Sequence, residues 1–158
     1  MALTIRRAVT GDAALVFDFV MQLAEYERLA HEVTTTADDL NAALFQEAPR
    51  VFCEIAEWDG EPVGFALWFY DFSTFVGGHG IYLEDLFVKG EARGRGIGKA
   101  LLAGLAKRCV DEGLGRLQWA VLDWNKPSID FYDSLGAKPL GDWITYRLSG
   151  DPLAKLAG

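Results

Sequence analysis

A chain of 158 residues, 51% of them apolar, is the size of one compact domain with an adequate core and too short for two ordinary ones. Its formal net charge of −8 argues against a surface built to grip nucleic acid, which needs a basic face to displace counterions from phosphates, and would favour a cationic small molecule such as an amine. No long apolar run follows the basic pair Arg6-Arg7 as in a secretory signal, and no stretch is long enough to span a membrane, so a cytoplasmic protein is expected.

In chain order, residues 3–8 read as a strand, and Gly11-Asp12 opens a helical pattern carrying Leu15, Phe19, Leu23 and Tyr26. The cluster Thr34-Thr35-Thr36 marks the start of a second, shorter helix with Leu40, Leu44 and Phe45. Segments 51–58 and 62–70 form a β-hairpin about Asp59-Gly60, because Asp-Gly supplies the positive backbone angles of tight hairpin turns. Residues 71–80 read as a glycine- and aromatic-rich loop, and 81–88 as an apolar strand interrupted by the acidic pair Glu84-Asp85. Residues 93–113 are a loop entering a helix, with Ile97, Leu101, Leu102, Leu105 and Cys109 as its apolar face and Gly113 as terminator. A buried strand over 117–122, a helix over 125–136 opened by Pro127 and closed by Gly136, and a strand over 142–148 complete the chain.

The order β-α-α-β-β-β-α-β-α-β predicts a single α+β (mixed α/β) domain over residues 1–158 around one sheet. Cys53, Cys109, His31 and His79 follow no metal-ligand spacing, so no metal is expected and the cysteines read as reduced, mostly buried thiols.

The chemistry concentrates at Arg93-Gly94-Arg95-Gly96-Ile97-Gly98-Lys99. A strand, a short basic loop and three glycines opening a helix gather backbone N–H groups and the positive helix end around one point, which suits a phosphate. Glycine lets the main chain approach the anion, while Arg93, Arg95 and Lys99 add charge. Two commoner phosphate motifs fail on counting. A dinucleotide fingerprint from Gly94 meets Lys99 where glycine is required, and one from Gly96 meets Leu101. A P-loop ending at Lys99 would need a glycine at Arg93 and a hydroxyl at Ala100.

What remains, Arg93-x-x-Gly96-x-Gly98, resembles the acetyl-CoA pyrophosphate motif of the GNAT superfamily. With Tyr82-Leu83-Glu84-Asp85-Leu86-Phe87-Val88 upstream and Trp124-Asn125-Lys126-Pro127-Ser128-Ile129-Asp130-Phe131-Tyr132 downstream, the chain is similar to the diamine acetyltransferase branch, which includes spermidine/spermine and thialysine acetyltransferases. The similarity runs over residues 5–147. It implies a mostly antiparallel twisted sheet flanked by about four helices, acetyl-CoA as cosubstrate and a homodimer.

The resemblance also implies roles residue by residue. Leu86, Phe87 and Val88 pair through their main chain with the pantetheine arm, Arg93, Gly94, Arg95, Gly96, Ile97, Gly98 and Lys99 hold the pyrophosphate, and Asn125, Lys126, Pro127 and Ser128 contact the cofactor arm. Glu84 takes the amine's proton directly or through water, or binds the substrate; its alternative is a structural carboxylate. Tyr132 protonates the departing coenzyme A sulfur; its alternative is a core aromatic beside Ile129 and Leu135. Tyr26-Glu27 resembles the family's amine-binding pair. The implied function is direct acetyl transfer to a primary amine of a small amine or lysine-like amino acid, the alternative being a non-catalytic acetyl-CoA-binding regulatory module. Thr74, and the apolar stretch Trp143-Ile144-Thr145, stand where polyamine acetyltransferases carry acids, which points away from a long polycation.

Overall fold

The computed structural model describes residues 2–158. They form two compact units, one running to Ala120 and the other from Val121 to Gly158. In the first, β1 (Leu3–Arg7), α1 (Ala13–Tyr26), α2 (Ala37–Phe45), β2 (Phe52–Trp58), β3 (Glu61–Ser73), β4 (Gly78–Val88), α3 (Ile97–Glu112) and β5 (Leu117–Gln118) follow one another. The second contains α4 (Lys126–Ser134) and α5 (Gly150–Ala157). Among the described residues there are thus five strands and five α-helices. The strands form one sheet in the order β1-β2-β3-β4-β5, antiparallel except for the parallel pair β4-β5.

Local chemistry sets several boundaries. Thr36 caps α2 by accepting from the Asp39 amide at 3.1 Å while Asp39 accepts from the Thr36 amide at 3.0 Å, so two end donors are satisfied reciprocally. Asp59 and Gly60 both have positive φ, 51° and 85°, which matches the twist of the β2-β3 hairpin. Gly113 ends α3 in the left-handed conformation at φ 70°.

The expected loop over 71–80 is instead mostly ladder. Asp71 pairs with Gly80, Phe72 with His79 and Ser73 with Gly78, leaving only 74–77 for the turn. Of the glycines that suggested a loop, Gly77 serves the turn at φ 77°, whereas Gly80 serves close packing, since a Cβ there would stand 2.8 Å from the Arg116 carbonyl oxygen just before β5. The strand expected over 117–122 shortens to Leu117 and Gln118, paired with Ile81 and Tyr82.

One face of the sheet packs against α1, where Phe19 stacks on Phe65 at 5.4 Å amid Ile55, Leu67 and Phe87. Alternate β3 residues turn to the other face, and there the Arg108 guanidinium of α3 lies 5.2 Å from the Trp68 ring. Ile97, Leu101, Leu102 and Leu105 bury the apolar side of α3.

The second unit starts its helix as expected, with Asn125 accepting from the Ser128 amide at 3.4 Å, Pro127 in the first turn and Gly136 beyond the end at φ 84°. No strand forms over 142–148. Trp143, Ile144 and Tyr146 are 76%, 78% and 90% exposed, and an extended segment becomes a strand only beside another that accepts its ladder bonds. The helix α5 was not expected from the sequence.

Candidate active site

The loop after β4 makes a short 3₁₀ turn over Gly90–Ala92, anchored by the buried Ala92, and then enters α3. Gly94 and Gly96 have φ of 81° and 77°, a conformation that other residues adopt only with strain. Gly96 is the N-cap, and the Ala100 amide makes the first helical bond, 2.9 Å to its carbonyl oxygen. The amides of Ile97, Gly98 and Lys99 therefore lack intrahelical acceptors and sit at the positive end of a helix of 16 residues. Arg93, Arg95 and Lys99 are exposed around them. Donors, charge and two obligatory glycines fit the pyrophosphate of a nucleotide cofactor.

Beside this loop, β4 offers a free edge. Its pairing with β5 stops at Tyr82, so among the described residues the side of β4 away from β3 has no ladder partner over 83–88, which includes Leu86, Phe87 and Val88. Such an edge can pair with an extended amide-bearing chain. On the opposite side, a Cβ on Gly64 would meet the Phe87 carbonyl oxygen at 2.6 Å, so glycine there permits the close approach of β3.

The acidic pair is separated by an irregularity in the ladder. Leu83 faces Trp68 and Asp85 faces Leu67, leaving Glu84 as an extra residue without a partner, which is a β-bulge. Glu84 is exposed. Asp85 shares the α1 side of the sheet with Leu67 and Phe87 and is partly buried. Burial, reinforced by the charges of Glu84 and Glu27, pushes the Asp85 carboxyl up to about 7. Burial likewise raises the Glu27 carboxyl above its ordinary value. Sequence reasoning singled out Glu84 and passed over Asp85. Simple alternation cannot say which of two adjacent acids turns inward when a bulge of unknown position intervenes.

Tyr26 is the last residue of α1 and Glu27 its C-cap. The Arg93 guanidinium lies 4.8 Å from the centre of the Tyr26 ring and 5.6 Å from that of Phe87, while Arg95 covers Trp58 at 5.0 Å. The first unit thus brings together Tyr26, Glu27, Asp85, the end of β4 and the glycine turn.

The remaining candidates lie in the second unit. Asn125 is 4% exposed, Lys126 Nζ reaches both carboxylate oxygens of Asp130 at 2.8 and 3.0 Å, and Pro127 and Ser128 complete the first turn of α4. Tyr132 lies on the same helix, partly buried, its ring 5.5 Å from that of Phe131. No group of three or more metal-ligating side chains occurs among the described residues. No described helix is long and apolar enough to cross a membrane.

The chain matches the Acetyltransferase (GNAT) family over residues 17–137. A thialysine N-epsilon-acetyltransferase of Bos taurus is 39% identical, the alignment covering 98% of this chain and 96% of that protein. An L-ornithine N5-acetyltransferase of Arabidopsis thaliana is 29% identical, covering 94% and 85%. Among solved structures, an integron cassette protein from the mobile metagenome of V. cholerae superposes with a TM-score of 0.82 at 30% identity, over 99% of this chain and 98% of that one. A ribosomal-protein-alanine N-acetyltransferase from Brucella melitensis shares the fold at a TM-score of 0.73 and 19% identity, over 94% and 100%. By its family match and its near full-length identity to an acetyltransferase, this chain belongs to the GNAT family of N-acetyltransferases, a membership that implies acetyl-CoA as acyl donor.

Proposed function

We propose that this enzyme acetylates the primary amine of a small amine or lysine-like amino acid. The observation that carries this is a juxtaposition at one end of β4: an anion cradle built on Gly94 and Gly96, and the partly buried acidic pair Glu27 and Asp85 with Tyr26 preceding Glu27. Acetyl-CoA supplies the acetyl group as an activated thioester. Residues 93–99 hold its pyrophosphate by backbone donors and charge, the free edge at Leu86, Phe87 and Val88 pairs with its amide-bearing arm, and an N–H near Leu86 polarises the acyl carbonyl.

An alkylammonium must lose a proton before it can attack. Tyr26 and Glu27 orient the cation, and Glu84, on the exposed bulge, takes its proton directly or through water, with Asp85 as a second acceptor. From the second unit, Asn125, Lys126, Pro127 and Ser128 are assigned on resemblance to the cofactor arm, and Tyr132 to protonation of the departing sulfur. The family match runs across position 120 into the second unit.

For the acceptor, relatives named for thialysine and ornithine support a basic amino acid. One acidic pair orients a single ammonium, whereas each further ammonium of a polyamine needs its own carboxylate; Thr74 and Ile144 supply none. The test is kcat/KM, scored by coenzyme A release, for thialysine, ornithine, lysine, a short diamine and spermine under identical conditions. The basic amino acids should lead, and a clear preference for spermine would overturn the assignment. We further propose a homodimer, supported by the family resemblance and by the exposed Trp143, Ile144 and Tyr146.

A further inference from the structure

Arg93 differs from Arg6, Arg7 and Arg108 of the first unit in what its guanidinium touches. Arg6, Arg7 and Arg108 each pair with carboxylates. Arg93 takes part in none of the ion pairs found among the described residues. Its Nε donates to the Val88 carbonyl oxygen at 3.0 Å, and its plane lies against Tyr26 at 4.8 Å and Phe87 at 5.6 Å. These contacts leave its two terminal nitrogens available to an anion at the 93–99 turn, on a guanidinium already packed against the last residue of α1.

That end of α1 has reason to need support. Arg28 adopts φ 61°, left-handed for a residue with a Cβ, and terminates the helix directly after Glu27. The amides of Glu27, Arg28 and Leu29 bond back to Leu23, Glu25 and Ala24 at 2.9, 3.0 and 2.8 Å, and such terminal bonds open far more readily than those of a helix interior.

We propose that Arg93 is a positioning residue that couples cofactor occupancy to the amine-binding end of α1. A pyrophosphate oxygen on its terminal nitrogens pins the guanidinium, and the guanidinium pins Tyr26 with the Glu27 that follows it. Binding of the donor then preorganises the acceptor's wall. Because binding couplings are reciprocal, the Tyr26 ring also strengthens cofactor binding without touching the cofactor. The proposal rests on the reading of the 93–99 turn as the pyrophosphate site and of Tyr26-Glu27 as the amine's wall.

The test uses coenzyme A alone, with no acyl group and no amine. Its Kd, measured by calorimetry, should be within about twofold of wild type in Tyr26→Phe, which keeps the ring, and weaker by roughly three- to fivefold in Tyr26→Leu, which removes the face that Arg93 stacks on. In wild type, saturating coenzyme A should slow amide exchange at Glu27, Arg28 and Leu29 by about fivefold. In Arg93→Lys, which keeps a charge but loses the planar face, saturating coenzyme A should leave those amides unchanged. Equal affinity in wild type and a folded Tyr26→Leu protein overturns the proposal, as does wild-type exchange indifferent to bound coenzyme A. If Tyr26→Leu does not fold, the comparison of wild type with Arg93→Lys decides alone. Failure of coenzyme A to bind wild type overturns the cofactor reading and the coupling with it, whereas binding without protection at α1 overturns the coupling only.

Discussion

Glu84 and Asp85 are adjacent acids with different surroundings because one extra residue in β4 breaks the alternation between them. The consequence can be measured as stability against pH. The Asp85 carboxyl is raised from 3.8 to about 7, so between roughly pH 4 and 7 the folded protein keeps a proton that the unfolded chain has lost. Folding stability contributed by this group therefore falls as pH rises through that window, and the full cost is present above pH 7. Asp85→Asn removes the charge, so its melting temperature should exceed wild type by a few degrees at pH 8 and differ little at pH 4. A gain of equal size at both pH values would show that the group does not titrate as described. For Tyr132, loss of the hydroxyl in Tyr132→Phe should lower turnover on the order of 10²-fold with coenzyme A affinity retained, as expected of a proton donor. Full activity in that variant would remove Tyr132 from the chemistry.

Two elements, the β3-β4 ladder and the entry to α3, decide where the site lies. Gly96 caps α3 at φ 77°, with open space where a Cβ would go, so glycine is needed there for its backbone angle and not for room. Gly96→Val should cost about 1–2 kcal/mol of stability from the left-handed strain and weaken coenzyme A binding by displacing the amides that face the pyrophosphate. Calorimetry on the folded variant checks this, and unchanged affinity would displace the cofactor from the turn. Gly64 is the opposite case, because a Cβ would press within 2.6 Å of a backbone oxygen of β4. Gly64→Ala should destabilise by about 1–3 kcal/mol through overpacking, seen as a lowered denaturant midpoint, and should perturb the β4 edge from its rear side.

At the scale of the molecule, the segment 142–148 carries the oligomer question. Its side chains alternate Trp143, Thr145 and Arg147 with Ile144 and Tyr146, a strand-forming composition, and three of its large apolar side chains lie mostly in solvent. A homodimer would cover them. Light scattering at micromolar concentration should give a mass of two chains, and Ile144→Glu should shift the population towards one, since a buried unpaired charge opposes association. A single-chain mass for wild type would refute the dimer.

The sequence by itself determined the family, the cofactor type that membership implies, and the local structure written in short-range chemistry: the Asp59-Gly60 hairpin turn, the capped starts of α2 and α4, and the glycine-rich entry to α3. Each depends on backbone angles or capping groups within a few residues, which composition and spacing reveal directly. Tertiary structure alone decided that 71–80 pairs as strand, that β5 stops after two residues, that 142–148 forms no strand, and that Asp85, rather than Glu84, turns inward towards Glu27. The stacking of Arg93 on Tyr26 belongs with these, joining positions 67 residues apart. Strand pairing, bulge position and side-chain stacking depend on partners distant in sequence, and periodicity along one segment carries no record of which neighbour the fold will bring beside it.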